Sequence, residues 1–386
     1  MPNPSRITGT YESSTVAGEE VRAFIPHPLP PSDPPLELES LGPALVAAEE
    51  ALERLELASH MVPSVNAFVR KEAVLTSQIE GTQSTLIDLF KAEAGEAQGK
   101  ELDLEEVSCY LDATRHAWSE LVRPEGLPIS MRLLAETHAR LMRSARGRTK
   151  QPGEVRRSQN WIGGTRPGNA AFVPPPPHRL DELLVGFERS IHEQSELPAL
   201  VRVGLLHVHF ETLHPFLDGN GRLGRLLITL LLRHWGLLSS PLLYLSLFFK
   251  THRFEYYRRL DGVRAAGDWE GWLAFFFEGV ERTADTATRT AVELHRVIGE
   301  SRSALHATAG ATLFSLRLFE LLPEHPVLTT TRVMELLGCG RGAALKTLDA
   351  LDAAGFMVQL EKAGKGAMLG FGPYLEVLRE GTDLER

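Results

Sequence analysis

The stretch His214-Pro-Phe-Leu-Asp-Gly-Asn-Gly-Arg-Leu-Gly-Arg225 decides the fold of the central part of the chain. Residues 200–213 before it carry apolar side chains at helical spacing, and residues 223–235 after it are apolar on nearly every side. Both flanks are therefore predicted to be buried or half-buried helices. A glycine-rich loop that opens onto a helix presents unpaired N–H groups and the positive end of the helix dipole, which suits phosphates. A plain turn would need only the glycines, so the added His, Asp, Asn and Arg residues favour an anion-binding loop.

The same stretch resembles the signature of the Fic family, His-x-Phe-x-Asp/Glu-Gly-Asn-Gly-Arg-x-x-Arg. Every fixed position of that pattern is filled here, by His214, Phe216, Asp218, Gly219, Asn220, Gly221, Arg222 and Arg225. The resemblance implies an enzyme that transfers AMP from ATP to a hydroxyl group of a protein. It also separates the chain from the related Doc-type kinases, which have Ala and Lys at the positions of Gly219 and Gly221.

The residue types of the motif suit AMP transfer. An imidazole such as that of His214 can act as a general base, and Asp218 is an oxygen ligand for one Mg²⁺ shared with phosphates. The loop amides and the Asn220 side chain can line the oxyanion site. Arg222 and Arg225 are expected to bind the leaving phosphates and the γ-phosphate, because a planar guanidinium binds phosphate better than an ammonium. The predicted ATP-binding residues are Asp218, Gly219, Asn220, Gly221, Arg222, Gly224, Arg225 and Tyr257.

A second motif lies upstream, at Thr76-Ser-Gln-Ile-Glu-Gly81. It resembles the inhibitory motif of the Fic family, Ser/Thr-x-x-x-Glu-Gly/Asn, and it ends a helix predicted over 68–79. Its spacing puts Thr76 and Glu80 on one face of that helix. A carboxylate at a helix C-terminus is unfavourably placed for the helix dipole, which favours a cationic partner elsewhere over a solvated surface glutamate. The resemblance implies auto-inhibition through an ion pair between Glu80 and Arg225.

Residues 146–177 are rich in Gly, Pro and Asn and lose helical periodicity. Two short extended runs around glycine-containing turns predict a β-hairpin. In the Fic family a hairpin flap at this place aligns the target protein by β-augmentation, whereas the alternative is a loop that only packs Trp161 and Phe172. The candidate target-binding residues are Trp161, Ile162, Gly163 and Gly164.

Two further residue pairs have alternative interpretations. His207 and His209 are two residues apart on a predicted helix and point to different faces, so they are interpreted as structural rather than as metal ligands. Tyr256 and Tyr257 lie on a helix that borders the nucleotide base in Fic relatives. One of them, with Tyr257 preferred, is predicted to stack on adenine, and the alternative is that they divide between core and surface.

The predicted fold is mainly α, with a Fic-type helical core, a small β-hairpin flap and a C-terminal winged-helix domain. Three helices followed by two strands indicate the winged helix. Arg341, Lys346, Lys362 and Lys365 could meet DNA phosphates there, but nearby acidic residues dilute the charge, so contact with a protein or dimerisation is preferred over DNA binding. The predicted divisions are an extended N-terminal segment (1–35), an N-terminal helical region with the inhibitory helix (36–125), the Fic catalytic core (126–280), a connector helix (281–309) and the winged helix-turn-helix domain (310–386).

Composition narrows the protein class. A formal net charge of -9 over 386 residues argues against a protein that coats nucleic acid nonspecifically. The chain has two cysteines, Cys109 and Cys339, and they predict neither a disulfide framework nor a thiolate metal site. No signal peptide is visible, and the most apolar run, 226–238, is too short to span a bilayer, so a cytoplasmic protein without membrane contact is expected.

Three functions are compatible with these patterns. The first is transfer of AMP to a Tyr, Thr or Ser hydroxyl of a target protein or of the chain itself, auto-inhibited by Glu80. The second is AMP removal, or transfer of another nucleotide, by the same loop. The third is a DNA-binding regulator whose Fic-like part senses a nucleotide. A homodimer is compatible with each, and no sequence feature decides it.

Overall fold

The computed structural model describes residues 6–16, 18–95, 99–363 and 366–384 of the chain. Within them the structure is mainly helical with small antiparallel sheets, which confirms the predicted mainly α class. The helices are α1 Gly42–Ala58, α2 Val65–Ile79, α3 Leu86–Glu93, α4 Glu101–Val122, α5 Met131–Leu141, α6 Pro177–His192, α7 Ala199–Leu213, α8 Asn220–His234, α9 Ser246–Thr251, α10 Arg253–Ala266, α11 Trp269–Ala307, α12 Leu313–Leu321, α13 Thr330–Leu337, α14 Arg341–Ala353 and α15 Gly372–Arg379. The strands are β1 Gly9–Val16, β2 Glu19–Pro26, β3 Val327–Leu328, β4 Met357–Ala363 and β5 Gly366–Phe371. None of the helices in these ranges is both long and apolar enough to cross a bilayer.

The helices on either side of the signature motif, α7 and α8, lie in the interior of the molecule. They pack against each other, and α7 also packs against α11. The approach of α11 is close because Gly204 has no side chain: a Cβ there would lie 2.9 Å from Cδ2 of Leu273. The indole N–H of Trp272 donates to the Gly204 carbonyl at 2.9 Å. This packing holds α7, the helix that leads into the motif loop (residues 214–219).

Helix α11 is longer than the sequence analysis predicted. It runs without interruption for 39 residues, so the predicted boundary at 281 between the catalytic core and a connector helix does not coincide with a break in the helix. Buried small and apolar residues continue at helical spacing through that point, and α1 packs along the helix. They are Val280, Ala284, Ala287, Ala291 and Leu294. A continuous buried face of this kind favours one helix over two.

The N-terminal segment, predicted only as extended, forms a hairpin. Strands β1 and β2 pair antiparallel with the register Gly9↔Pro26 to Val16↔Glu19. The backbone N–H of Phe24 donates to the Val173 carbonyl at 2.9 Å, so β2 also meets the segment predicted as the flap. The sequence near β2 does not indicate its pairing with the flap segment, because the two segments are far apart along the chain.

The flap segment contains less β structure than predicted. A single antiparallel bridge joins Ile162 and Phe172, with the Ile162 N–H donating to the Phe172 carbonyl at 2.8 Å. A 3-10 turn, Pro167–Asn169, lies between them. The prolines at 174–177 lack the N–H groups that a longer ladder would need.

The C-terminal part consists of α12, α13 and α14 with a small antiparallel sheet. Its strand order is β3-β5-β4, and β3 was not predicted. After the sheet, α15 returns to pack on α2, α3 and α11. The winged-helix assignment of this part stays a prediction, and Lys365, one of its predicted phosphate contacts, lies outside the described residues.

Candidate functional site

The motif loop begins and ends with left-handed backbone. His214 ends α7 with φ 47° and ψ 60°, and Gly219 precedes α8 with φ 78°. Such a conformation is costly for a residue with a side chain, and it persists at functional sites when the surroundings enforce it. At Gly219 a Cβ would also lie 2.7 Å from Sδ of Met142. The loop therefore requires glycine at 219 and places His214 in a strained conformation.

Asn220 closes the loop. Its Oδ1 accepts from the Phe216 N–H at 2.9 Å, and its Nδ2 donates to the Phe216 carbonyl at 2.8 Å. The residue is 1% exposed. The Asn220 side chain was predicted to line the oxyanion site, but both of its polar atoms are bound to the loop backbone. Its contribution is therefore to the shape of the loop.

Arg156, which sequence analysis did not identify, supports the loop from outside. Its buried guanidinium donates from Nε to the His214 carbonyl at 2.8 Å and from Nη2 to the Pro175 carbonyl at 2.6 Å. Its backbone N–H donates to the Pro215 carbonyl at 2.9 Å. One residue thus connects the entry of the motif loop to the end of the flap segment.

His138 on α5 was also missed. Its Nδ1 accepts from the Gly153 N–H at 2.8 Å, which leaves the proton on Nε2, and Nε2 donates to the Asp218 carbonyl at 2.9 Å. The ring stacks on Phe216 with 3.9 Å between centroids. Burial lowers the pKa of His138 to about 4, so the ring is neutral at neutral pH. It therefore positions the loop through hydrogen bonds and packing rather than through charge.

His214 has the protonation state that a general base needs. The residue is half-buried. Its pKa is lowered to about 3, mainly because the imidazole is shielded from solvent and to a smaller extent because the guanidinium groups of Arg156 and Arg264 are near. The imidazole is therefore neutral at physiological pH and can accept a proton.

Arg222 lies buried beside the start of α8. Its Nη1 donates to Oε2 of Glu106 on α4 at 3.3 Å, and its Nη2 lies 4.0 Å from Oδ1 of Asp218. Its Nε has no hydrogen-bond partner in the described part of the chain. A buried guanidinium N–H without a partner is suited to an anionic ligand.

The fit of Asp218 to a magnesium ion depends on additional ligands. About half of its side chain is exposed, and Oδ1 accepts the Gly219 N–H at 2.6 Å. Among the described residues, no group of three or more His, Cys, Asp and Glu side chains could hold a metal ion by itself. One exposed carboxylate beside an anion site nevertheless suits Mg²⁺, which takes few protein ligands and shares itself with phosphates.

The structure brings Thr76 and Glu80 to Arg225. Oε1 of Glu80 lies 2.5 Å from Nη2 of Arg225, and Arg225 also donates from Nε to the Thr76 hydroxyl at 2.6 Å. Partial burial opposes ionisation of Glu80, but the Arg225 guanidinium outweighs it and lowers the pKa of the carboxyl. Gly81, with φ 103°, turns the chain directly after Glu80. The inhibitory motif therefore occupies the guanidinium that was predicted to bind a phosphate.

The two adjacent tyrosines divide between core and surface. The Tyr256 hydroxyl donates to Nε2 of His207 at 2.8 Å, and Nδ1 of His207 donates to the Gly224 carbonyl at 3.0 Å. These bonds give Tyr256 and His207 structural roles. Tyr257 is 38% exposed. Partial burial and, second, the negative charge of Glu80 raise the pKa of Tyr257, which shows that its hydroxyl lies near the inhibitory pair. Tyr257 is thus the tyrosine available to a ligand.

The flap segment is attached to the motif loop by Asn160. Its Nδ2 donates to the Leu217 carbonyl at 3.2 Å, and its Oδ1 accepts from the Trp161 N–H at 2.8 Å. Trp161 and Ile162 are half-buried, whereas Gly163 and Gly164 are exposed. The candidate target-binding residues therefore begin beside the motif loop.

Gly224 faces the buried carboxylate of Glu211. A Cβ on Gly224 would lie 2.3 Å from Oε1 of Glu211, whose pKa burial raises to about 7. We expect Gly224→Ala to lower the free energy of unfolding by about 1–2 kcal/mol, because overpacking exceeds the gain in helix propensity. The midpoint of urea unfolding measures this change. Gly299→Ala on α11, with no atom within 4 Å of the new Cβ, is the matched control and should instead raise stability. A higher midpoint for Gly224→Ala would contradict the packing argument.

Comparison with known proteins identifies the family. Residues 43–119 match the family described as Fic/DOC family N-terminal, and residues 128–232 match the Fic/DOC family. The chain is 35% identical over 159 residues to "Protein adenylyltransferase Fic" of Culex quinquefasciatus, covering 41% of this chain and 29% of the relative. It is 33% identical over 135 residues to the protein of the same name from Drosophila melanogaster, covering 34% of this chain and 25% of that relative. The matches thus span less than a third of either relative.

Solved structures show the same fold at lower sequence identity. A Fic family protein from Desulfovibrio desulfuricans G20 matches with a TM-score of 0.55 and 20% identity, covering 85% of this chain and 96% of that chain. A Fic domain containing signaling protein from Bacteroides thetaiotaomicron matches with a TM-score of 0.51 and 16% identity, covering 64% and 97%. Residues 43–119 and 128–232 thus carry the N-terminal region and the central domain of the Fic/DOC family, and the motif loop and the fold agree with both matches.

Proposed function

We propose that this protein is an adenylyltransferase that transfers AMP from ATP to a hydroxyl side chain of a protein, and that Glu80 inhibits it. The observation that carries the proposal is the folded motif loop, which gathers a neutral His214, an exposed Asp218 and the buried guanidinium of Arg222 around the start of α8. The names of the curated relatives favour AMP transfer over AMP removal and over nucleotide sensing.

The proposed reaction follows from these positions. The oxygen of the acceptor hydroxyl forms a bond to the α-phosphorus of ATP, the bond to the bridging oxygen breaks, and diphosphate leaves. His214 takes the proton of the hydroxyl. The amides of Asn220 and Gly221 at the start of α8 and the guanidinium of Arg222 stabilise negative charge on the phosphates, since the Gly219 N–H donates to Oδ1 of Asp218. A magnesium ion held by Asp218 and the phosphates would neutralise the charge that develops on the leaving group.

Inhibition follows from competition for Arg225. While Glu80 is paired with this guanidinium, a γ-phosphate cannot have it as a partner. ATP then binds without the contact that aligns its α-phosphorus, and transfer is slow. About a third of the Glu80 side chain is exposed, so a ligand or partner can reach it. Displacement of Glu80 then restores the contact between Arg225 and the γ-phosphate.

The flap is proposed to bind the target backbone, and the C-terminal part is proposed to be a winged helix that contacts DNA or another protein. The bridge between Ile162 and Phe172, beside the motif loop, supports the first of these roles. The second is supported by the order of α12, α13, α14 and the sheet, and by the exposure of Arg341 and Lys346 on α14.

Tyr257 is proposed to stack on the adenine. We expect Tyr257→Ala to weaken ATP binding about tenfold, because stacking of an aromatic side chain on a base contributes roughly 1–3 kcal/mol. Tyr257→Phe keeps the ring and should bind ATP as the wild type does. Calorimetric titration with ATP measures both. Equal affinity of the alanine and phenylalanine variants would remove Tyr257 from the site.

The proposed function is tested by the choice of nucleotide. The Glu80→Gly variant, incubated with Mg²⁺ and α-labelled ATP, is expected to label itself or a protein of a cell lysate, whereas α-labelled UTP should give little label. Stronger labelling from UTP would replace AMP transfer by transfer of another nucleotide. Absence of label from both would remove nucleotidyl transfer from the account.

A further inference from the structure

The C-terminal part of the chain contacts the inhibitory helix α2 at its N-terminal end. Glu324, in the turn after α12, accepts hydrogen bonds from the Ser64 hydroxyl and from Nδ2 of Asn66, the latter at 3.1 and 3.2 Å. It also pairs with Nη1 of Arg70 at 3.3 Å. Ser64 is the N-cap residue of α2, yet its side chain makes no bond to its own helix. The carboxylate of Glu324 thus lies where the helix dipole favours a negative charge.

A second contact lies near the other end of α2, two residues before Glu80. Nε2 of Gln78 donates to the carbonyl of Thr382 at 2.8 Å, and Thr382, in the segment after α15, is fully buried. Nζ of Lys250 donates to the Asp383 carbonyl at 2.9 Å and so holds the same segment. Helix α2 is buried along most of its length and packs on α4 and α9, and residues 254 or more positions away in sequence hold it in addition near each of its ends.

The end of the inhibitory motif contains buried hydroxyl groups without partners in the described part of the chain, although Nε2 of Gln78 donates to the Ser84 carbonyl at 2.9 Å. The side-chain oxygens of Ser77, Thr82 and Ser84 are buried and find no hydrogen-bond partner among the described residues. Buried hydroxyl groups without partners disfavour the arrangement that contains them. Contacts from outside the motif, those of Glu324 and of the Thr382 carbonyl among them, oppose this cost and contribute to holding α2 next to Arg225.

We propose that Glu324 is a positioning residue for inhibition: it holds α2, together with the Thr382 carbonyl, where Glu80 reaches Arg225. This inference rests on the proposed auto-inhibition and names the part of the chain that sets it. A ligand or partner that moves the C-terminal part away from α2 would then release Arg225. Glu324 acts only through Glu80 and touches neither substrate nor the motif loop.

Two measurements on the full-length chain test this inference. Hydrogen–deuterium exchange of a peptide within residues 65–80 is expected to be several times faster in Glu324→Gln than in the wild type. Self-labelling from α-labelled ATP is expected to rise at least threefold in Glu324→Gln, and the double variant Glu80→Gly/Glu324→Gln should not exceed Glu80→Gly alone. Glu320→Gln on α12, whose carboxylate pairs with Arg302 in solvent, is the matched control and should change neither quantity.

A second substitution guards against misfolding of the Glu324 variant. Asn66 is exposed and faces Glu324, so Asn66→Asp should repel that carboxylate and release α2, whereas Asn66→Lys should keep the contact. Unchanged exchange within 65–80 in both Glu324→Gln and Asn66→Asp would overturn the inference, as would a double variant that labels faster than Glu80→Gly. Faster exchange with no labelling in any variant, Glu80→Gly included, would support the contact between Glu324 and α2 and reject the proposed function instead.

Discussion

Replacing Glu80 by glycine is expected to raise the rate of AMP incorporation at least tenfold. The substitution removes the carboxylate that lies 2.5 Å from the Arg225 guanidinium and leaves that guanidinium buried and available to a phosphate. Tenfold corresponds to about 1.4 kcal/mol, which is within what a well-aligned, partly buried charge pair contributes. Glycine is tolerated at this position because Glu80 is the C-cap residue of α2 and not part of its interior. Incorporation of label from α-labelled ATP measures the rate.

A matched control separates release of Arg225 from loosening of a helix end. Glu193 is the C-cap residue of α6 and is exposed to solvent, so Glu193→Gly makes the same chemical change at an equivalent position. It should leave the rate unchanged. Equal rates for wild type and Glu80→Gly would show that the ion pair with Arg225 does not restrain the reaction.

Replacing His214 by alanine in the Glu80→Gly background is expected to lower AMP transfer by roughly 10²–10⁴-fold, the usual contribution of a general base. The neutral imidazole supplies the proton acceptor, whereas the proposed phosphate contacts come from the loop amides, Arg222 and Arg225. Affinity for ATP, measured by calorimetry, should therefore stay within about twofold. A fall in transfer without a fall in affinity is the pattern of a residue that acts in the transition state.

His178 provides the control for the removal of a histidine. Its side chain is 64% exposed, and its Nε2 lies 3.1 Å from Oε1 of Glu12 on β1. In the Glu80→Gly background, His178→Ala should transfer AMP as fast as Glu80→Gly alone. If His214→Ala also kept the parental rate, another group would have to be the base.

The motif residues could be read from the sequence because their relation is local. Glycines, a carboxylate and two arginines within a dozen positions determine one loop, and the spacing of Thr76 and Glu80 determines one helix face. The ion pair between Glu80 and Arg225 was predicted from the resemblance to a family, and the structure places the two groups together.

The residues that support the loop could not be predicted in the same way. His138, Arg156 and Glu106 are single residues on separate segments, and only the packing of α4, α5 and the flap segment against the motif helices brings them to the site. The sequence around a single buried histidine or arginine does not distinguish it from a histidine or arginine on the surface. The pairing of the N-terminal hairpin with the flap is non-local for the same reason. Glu19 accepts bonds there from Nη1 of Arg166 at 2.8 Å and from the Gly168 N–H at 2.9 Å.

The most direct test of adenylyl transfer compares two positions of the label in ATP. The Glu80→Gly variant is incubated with Mg²⁺ and either α-labelled or γ-labelled ATP, and protein-bound label is counted. Retention of the α-label without the γ-label is the predicted result, because AMP stays on the protein and diphosphate leaves. Retention of the γ-label would mean phosphoryl transfer and would contradict the account.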